Sequence, residues 1–150
     1  MTPRVMRAPR TYQFKVEFSY KWPLWRIVEV HEDQTLERLH VAIQGAFDWD
    51  NDHPYLFSLE RRRTERFDNP EVEYIDPRVD CPFGKHSADD APIALLGLRP
   101  RRKFRYLFDF GDRLLHRITV VKIGQTEPGV EYPRLIEKHG ENAPQYSLWT

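Results

Sequence analysis

Residues 101–123 (RRKFRYLFDFGDRLLHRITVVKI) constrain the fold more than any other stretch. Phe104, Tyr106, Phe108 and Phe110 recur at every second position. After Gly111 the pattern resumes as Leu114, His116, Ile118 and Val120. Period-two alternation turns one apolar row on each strand toward a core. A two-residue turn at Gly111-Asp112 would set the aromatic row against Arg113, Leu115 and Arg117. A three-residue loop, 111–113, pairs Phe110 with Leu114 and Phe108 with His116. Facing residues of an antiparallel pair share one side of the sheet, so only the odd-length loop joins the two apolar rows. The spacing therefore predicts a hairpin closed by a glycine-bulged turn, with Gly111 supplying positive φ and Asp112 capping it.

The rest of the chain reads around that hairpin. Tyr12, Phe14, Val16 and Phe18 alternate with polar residues and predict a strand; Lys21-Trp22-Pro23 turns the chain, and residues 24–30 (LWRIVEV) return. Thr35 is a ready N-cap, and Leu36, Leu39, Ile43, Ala46 and Phe47 recur at helical spacing, which predicts a helix over 35–47. Tyr55, Phe57 and Leu59 predict a third strand over 55–62. Residues 63–91 read as a long loop with one paired segment near 72–75, and residues 133–138 as a short helical turn. The expected fold class is α+β, a mostly antiparallel sheet with one principal helix packed on one face. The expected layout is a flexible basic arm over 1–10, one domain over 11–136 and a C-terminal tail over 137–150. Trp25 and Trp49 flank the helix and are expected to complete the core; Trp22 and Trp149 are expected outside it. Arg26, Arg61, Arg63, Arg105 and Arg117 are the residues expected on the sheet's open face.

Charge narrows the function classes. The 150 residues hold 23 Lys+Arg and 23 Asp+Glu, so the chain is neutral overall and is no histone-like binder, although local patches are allowed. One cysteine, Cys81, excludes an internal disulfide framework and an all-cysteine metal cluster. No apolar run approaches 18 residues, and residues 1–10 lack the apolar core of a signal peptide. A cytoplasmic protein without a membrane partner is the expectation.

Two constellations carry possible chemistry. Arg61, Arg62 and Arg63, with Arg101, Arg102, Lys103 and Arg105, form basic clusters, the second interleaved with Tyr106 and Phe108. Such clusters contact phosphates. Their structural alternative is an edge strand whose charges block edge-to-edge pairing. His40, His53, Asp109, Asp112 and His116 are the residue types that hold zinc, manganese or iron, although no tight ligand spacing joins them. His116, between Leu114 and Ile118, reads first as a hydrogen-bonded core histidine. Asp109-Phe110-Gly111 copies a kinase magnesium triplet in a chain too short for a kinase. No serine has the arginine-rich setting of a serine recombinase, and no basic neighbour activates Cys81.

Several stretches fall in a familiar order: residues 12–18; Pro23-Leu24-Trp25-Arg26; Thr35-Leu36-Glu37-Arg38-Leu39-His40; Ile43-Gln44; Ala46-Phe47; Trp49; His53; residues 106–112 (YLFDFGD); His116 and Ile118. Over roughly 11–136 the chain resembles the root-inducing-plasmid (pRi) ORF-three-like family, whose members often carry a transposon-passenger or resolvase-like label. The resemblance implies a small α+β domain and no established activity. The chain departs from the family at Leu114, where an aromatic is usual, at Tyr55, where a second histidine is usual, and in a tail without the family's cysteines. Two readings follow. One is a non-enzymatic accessory module of mobile-element origin, acting through an exposed sheet face on a protein or nucleic-acid partner or as a homodimer, with no cofactor. The other is a metal-assisted hydrolase or nuclease-like enzyme built on the His/Asp cluster with a divalent metal. The residues leave the question of enzyme or non-enzyme open.

Overall fold

The computed structural model describes residues 7–19, 24–80 and 85–141. Its strands are β1 (Arg10–Phe18), β2 (Trp25–His31), β3 (Tyr55–Ser58), β4 (Glu73–Ile75), β5 (His86–Ser87), β6 (Lys103–Phe108), β7 (Leu114–Gln125) and β8 (Arg134–His139). They form one sheet in the order β5-β4-β3-β6-β7-β1-β2-β8. β4 and β5 run parallel, and the other neighbours are antiparallel. This corrects the expected fold class: the chain is mostly sheet, an eight-stranded mixed sheet with one α-helix. The paired segment expected near 72–75 is β4, while two strands escaped the sequence pattern for physical reasons. β5 has two residues, too few for alternation to register. β8 replaces the expected helical turn near 133–138; it is an edge strand whose Leu135 and Ile136 stay exposed, so burial imposes no period on it.

α1 (Leu36–Phe47) starts where expected, with the Thr35 hydroxyl accepting the Arg38 N–H. Leu36, Leu39, Ile43 and Phe47 are fully buried in the core with Phe14, Val16, Val28, Val30, Phe104, Tyr106 and Phe108. Burial of each large apolar side chain stabilises the fold by about 2–3 kcal/mol, so this stripe is what docks the helix. Asp48, at φ 56, ends it, its N–H donating to the carbonyls of Gln44 and Gly45.

The 101–123 hairpin keeps the predicted faces but not the predicted register. Phe108 faces Leu114 and Tyr106 faces His116, across a five-residue loop. Five and three are both odd, so the apolar rows still meet, while Phe110 moves into the loop and is 38% exposed. The turn is closed by Asp109 and not by Gly111 or Asp112. Asp109 has φ 63, and its Oδ1 accepts the N–H groups of Gly111 (3.1 Å) and Asp112 (3.2 Å), an Asx turn.

On the sheet's second face, Leu56, Ile75 and Leu107 are covered by Phe67, Val79 and Leu115. Trp25 also lies on this face, half-buried, with Lys15 Nζ 4.8 Å from its ring centre and His139 stacked at 5.2 Å; Trp49 alone of the pair joins the core. Arg26, expected on the open face, is instead 1% exposed on the core side. Its Nε donates to Ala46 O (2.9 Å) at the helix C-terminus, and its Nη atoms to the carbonyls of Trp25, His139 and Gly140. Trp22, Cys81 and Trp149 lie outside the described residues. Among the described residues no helix is long and apolar enough to cross a membrane.

Candidate nucleic-acid interface

All seven basic residues singled out from the sequence line one groove of about 1070 Å³. Arg61, Arg62 and Arg63 come from the 59–69 loop, Arg101 and Arg102 from the turn before β6, and Lys103 and Arg105 from β6 itself. Arg117 of β7 joins them, so eight Arg or Lys side chains meet two acids, Glu60 and Glu65. Strand register builds this wall. Ser58, Arg105, Arg117 and Glu17 stand in one cross-strand row over β3, β6, β7 and β1. Like charges placed directly opposite, as Arg105 and Arg117 are, destabilise a sheet. Arg101, at φ 75, is pinned by its N–H to Val120 O at 2.7 Å.

The cations fall into two groups by what their side chains touch. Arg102 Nη2 donates to Leu59 O (2.7 Å). Arg105 lies with its guanidinium 4.2 Å from the Phe67 ring centre and donates from Nη2 to Arg66 O (2.8 Å) and Ser58 Oγ (3.2 Å). Arg113, which sequence reasoning passed over, donates to Glu65 O (3.1 Å). Arg62 is tied within its own loop, to Glu60 and to Asp68 at 3.0 Å. Arg61, Arg63, Arg101, Lys103 and Arg117 are exposed and make no salt bridge among the described residues. Burial lowers the pKa of Arg105, with Glu73 and Glu60 opposing it, so its charge is poorly solvated yet retained. Arg105 Nη1 is buried without a hydrogen-bond partner.

The five His/Asp candidates separate into three places. His40 is 2% exposed on the helix and belongs to a closed ring of hydrogen bonds. Gln44 Nε2 donates to Tyr106 Oη (2.8 Å), Tyr106 Oη to His40 Nδ1 (2.7 Å), His40 Nε2 to Asn51 Oδ1 (2.7 Å), and Asn51 N to Gln44 Oε1 (2.8 Å). Only this proton order satisfies every member, since the Gln44 amide nitrogen can only donate and Asn51 Oδ1 can only accept. Burial pushes the His40 pKa down to about 4, against the Asn51 hydrogen bond. His116 is fully buried elsewhere, ringed by Phe18, Phe47, Trp49 and Tyr106. The Trp49 indole donates to His116 Nε2 at 3.2 Å, so the neutral ring carries its proton on Nδ1. Burial brings its pKa down to about 3, outweighing the backbone of Tyr106 and Leu114. His53 and Asp109 do approach: His53 Nδ1 lies 2.8 Å from Asp52 Oδ1 and 3.6 Å from Asp109 Oδ2, while Asp112 is exposed on the turn. Among the described residues no group of three or more His, Cys, Asp or Glu side chains could hold a metal ion.

Comparison with known proteins places this architecture. A family model described as plasmid pRiA4b ORF-3-like protein matches residues 10–146. The uncharacterised protein y4hQ of Sinorhizobium fredii (strain NBRC 101917 / NGR234) is 35% identical over 139 residues, which is 89% of this chain and 64% of that protein. The chain thus spans just under two thirds of that relative's length. A crystal structure of a protein of unknown function from Methanosarcina mazei Go1 is similar at TM-score 0.72 and 23% identity, covering 93% of this chain and 74% of that one. The similarity bears on the fold alone.

Proposed function

This chain belongs to the plasmid pRiA4b ORF-3-like family, and we propose that it acts as a non-enzymatic accessory module that holds nucleic acid by its phosphate backbone. One observation carries the reading. In a chain of zero net charge, eight cations and two carboxylates line a single groove. That segregation creates a local positive potential that a neutral protein otherwise lacks, and polyanions release counterions on entering it. A protein partner would be better served by a flat apolar patch than by five exposed cations that make no salt bridge among the described residues.

The test is fluorescence anisotropy with a labelled DNA duplex of about 20 base pairs, from about 50 to 200 mM salt. Five presented cations set a ceiling on counterion release, so log K against log salt is expected to fall with a slope of about −3 to −4.5. Reversing charge at Arg61, Arg63 and Arg117 to Glu abolishes binding while circular dichroism stays native. Binding that survives the reversal, or no binding at low salt, refutes the reading.

A further inference from the structure

We propose that Arg102, Arg105 and Arg113 are positioning residues. They hold the 59–69 loop as the second bank of the groove, and the loop's Arg61 and Arg63 meet phosphate in their place. This rests on the nucleic-acid reading above and divides the labour within it. A loop carrying Arg61, Arg62 and Arg63 beside Arg101 and Arg117 is repelled by the sheet it must lie against. Its carbonyls resolve the conflict. Leu59, Glu65 and Arg66 each turn a carbonyl oxygen to a guanidinium of β6 or of the segments flanking it, Arg102, Arg113 and Arg105, at 2.7, 3.1 and 2.8 Å. Phe67 between them lies under Arg105 and is 5.9 Å from the Arg113 guanidinium. Guanidinium–carbonyl bonds thus tie down a cationic loop with further cations, which a carboxylate could do only by cancelling the groove's charge.

Arginine is required for this role. Arg105 lies over the Phe67 ring while Nη2 reaches two acceptors, the Arg66 carbonyl and the Ser58 hydroxyl. A lysine at 105 keeps the charge but has neither the plane nor the fork. Phosphate contact by a point charge would tolerate that exchange; loop positioning does not.

The experiment compares Arg105→Lys with Arg117→Ala by two readouts. Duplex affinity as a function of salt is the first. The second is amide hydrogen exchange over residues 60–68, where the N–H groups of Glu60, Arg62 and Arg66 are held by Ser58, Glu60 and Thr64 side chains. Arg105→Lys is expected to speed exchange across the loop and weaken duplex binding about tenfold, the loss of about one charged hydrogen bond, with the salt slope kept. Arg117→Ala is expected to flatten the salt slope by about 0.9 and leave loop exchange alone. Unchanged loop exchange in Arg105→Lys overturns the proposal, as does unchanged affinity. If the wild-type protein binds no duplex, the nucleic-acid reading has failed, and loop exchange alone then decides whether Arg105 positions the loop.

Discussion

Acidification from pH 7 to pH 5 should destabilise the fold by about 4 kcal/mol, through His40 and His116. Both are held neutral by burial, with folded values of about 4 and about 3. An unfolded histidine titrates near 6.5. The folded values lie below that, so between pH 6.5 and 4 the unfolded chain takes up the protons. The stabilisation is complete above about pH 6.5 and is lost as pH falls. By pH 5 each histidine lies about 1.5 units below its unfolded value, and each unit is worth about 1.4 kcal/mol, so each contributes a loss of about 2 kcal/mol. Glu32, held at about 2 by its hydrogen bonds with Arg7, weakens the fold only below about pH 4.5 and stays outside this window. Urea unfolding at a series of pH values measures the effect, with a constant m value as the check on two-state behaviour. His116→Gln keeps an acceptor for the Trp49 N–H but cannot titrate, so its loss between pH 7 and 5 should halve to about 2 kcal/mol. A wild-type loss below about 1 kcal/mol would refute the reasoning, as would an unaltered pH dependence in the variant.

Two further predictions concern buried polar groups. Tyr106→Phe deletes the hydroxyl that joins His40 to Gln44 and leaves two buried partners unsatisfied, so thermal unfolding should show a loss of about 2–4 kcal/mol. Arg26→Met, close in length but unable to donate, strands the Ala46, His139 and Gly140 carbonyls; a loss of about 3 kcal/mol, with faster amide exchange in β8, is expected in denaturant titration.

What was readable in the chain depended on how many residues repeated one constraint. The helix was legible because Leu36, Leu39, Ile43 and Phe47 bury the same stripe behind a hydroxyl cap. The hairpin's faces were legible because parity alone sets them; its register was not, because loops of three and five residues have equal parity and only the Asp109 Asx turn separates them. Arg26 was misplaced although the signal was present. It shares its row with Leu24, Val28 and Val30, all buried, so the phase of the strand, and not the charge of the side chain, sets its face. His40 likewise shares the helix stripe, and that its ring closes through Gln44, Tyr106 and Asn51 has no trace in local spacing. Arg113 was missed because its partner, the Glu65 carbonyl, is a backbone atom 48 residues away.

The basic clusters have a second physical explanation, protection of a sheet edge, and for Arg105 and Arg117 the topology speaks against it. Edge charge works only on a strand with an unpaired side. β6 lies between β3 and β7, and β7 between β6 and β1, so Arg105, paired with Ser58 and Arg117, and Arg117, paired with Arg105 and Glu17, sit in the interior of the sheet, while Lys103 lies beyond the end of β3. The edges are β5 and β8, of which β8 carries the mixed charges Arg134, Glu137 and Lys138. On interior strands, opposed arginines protect nothing and cost stability through mutual repulsion. An anion placed over the row removes that repulsion. The feature that weakens the isolated sheet is therefore the one that would bind the ligand, and a polyanion should raise the melting temperature of the wild-type protein more than that of Arg117→Ala.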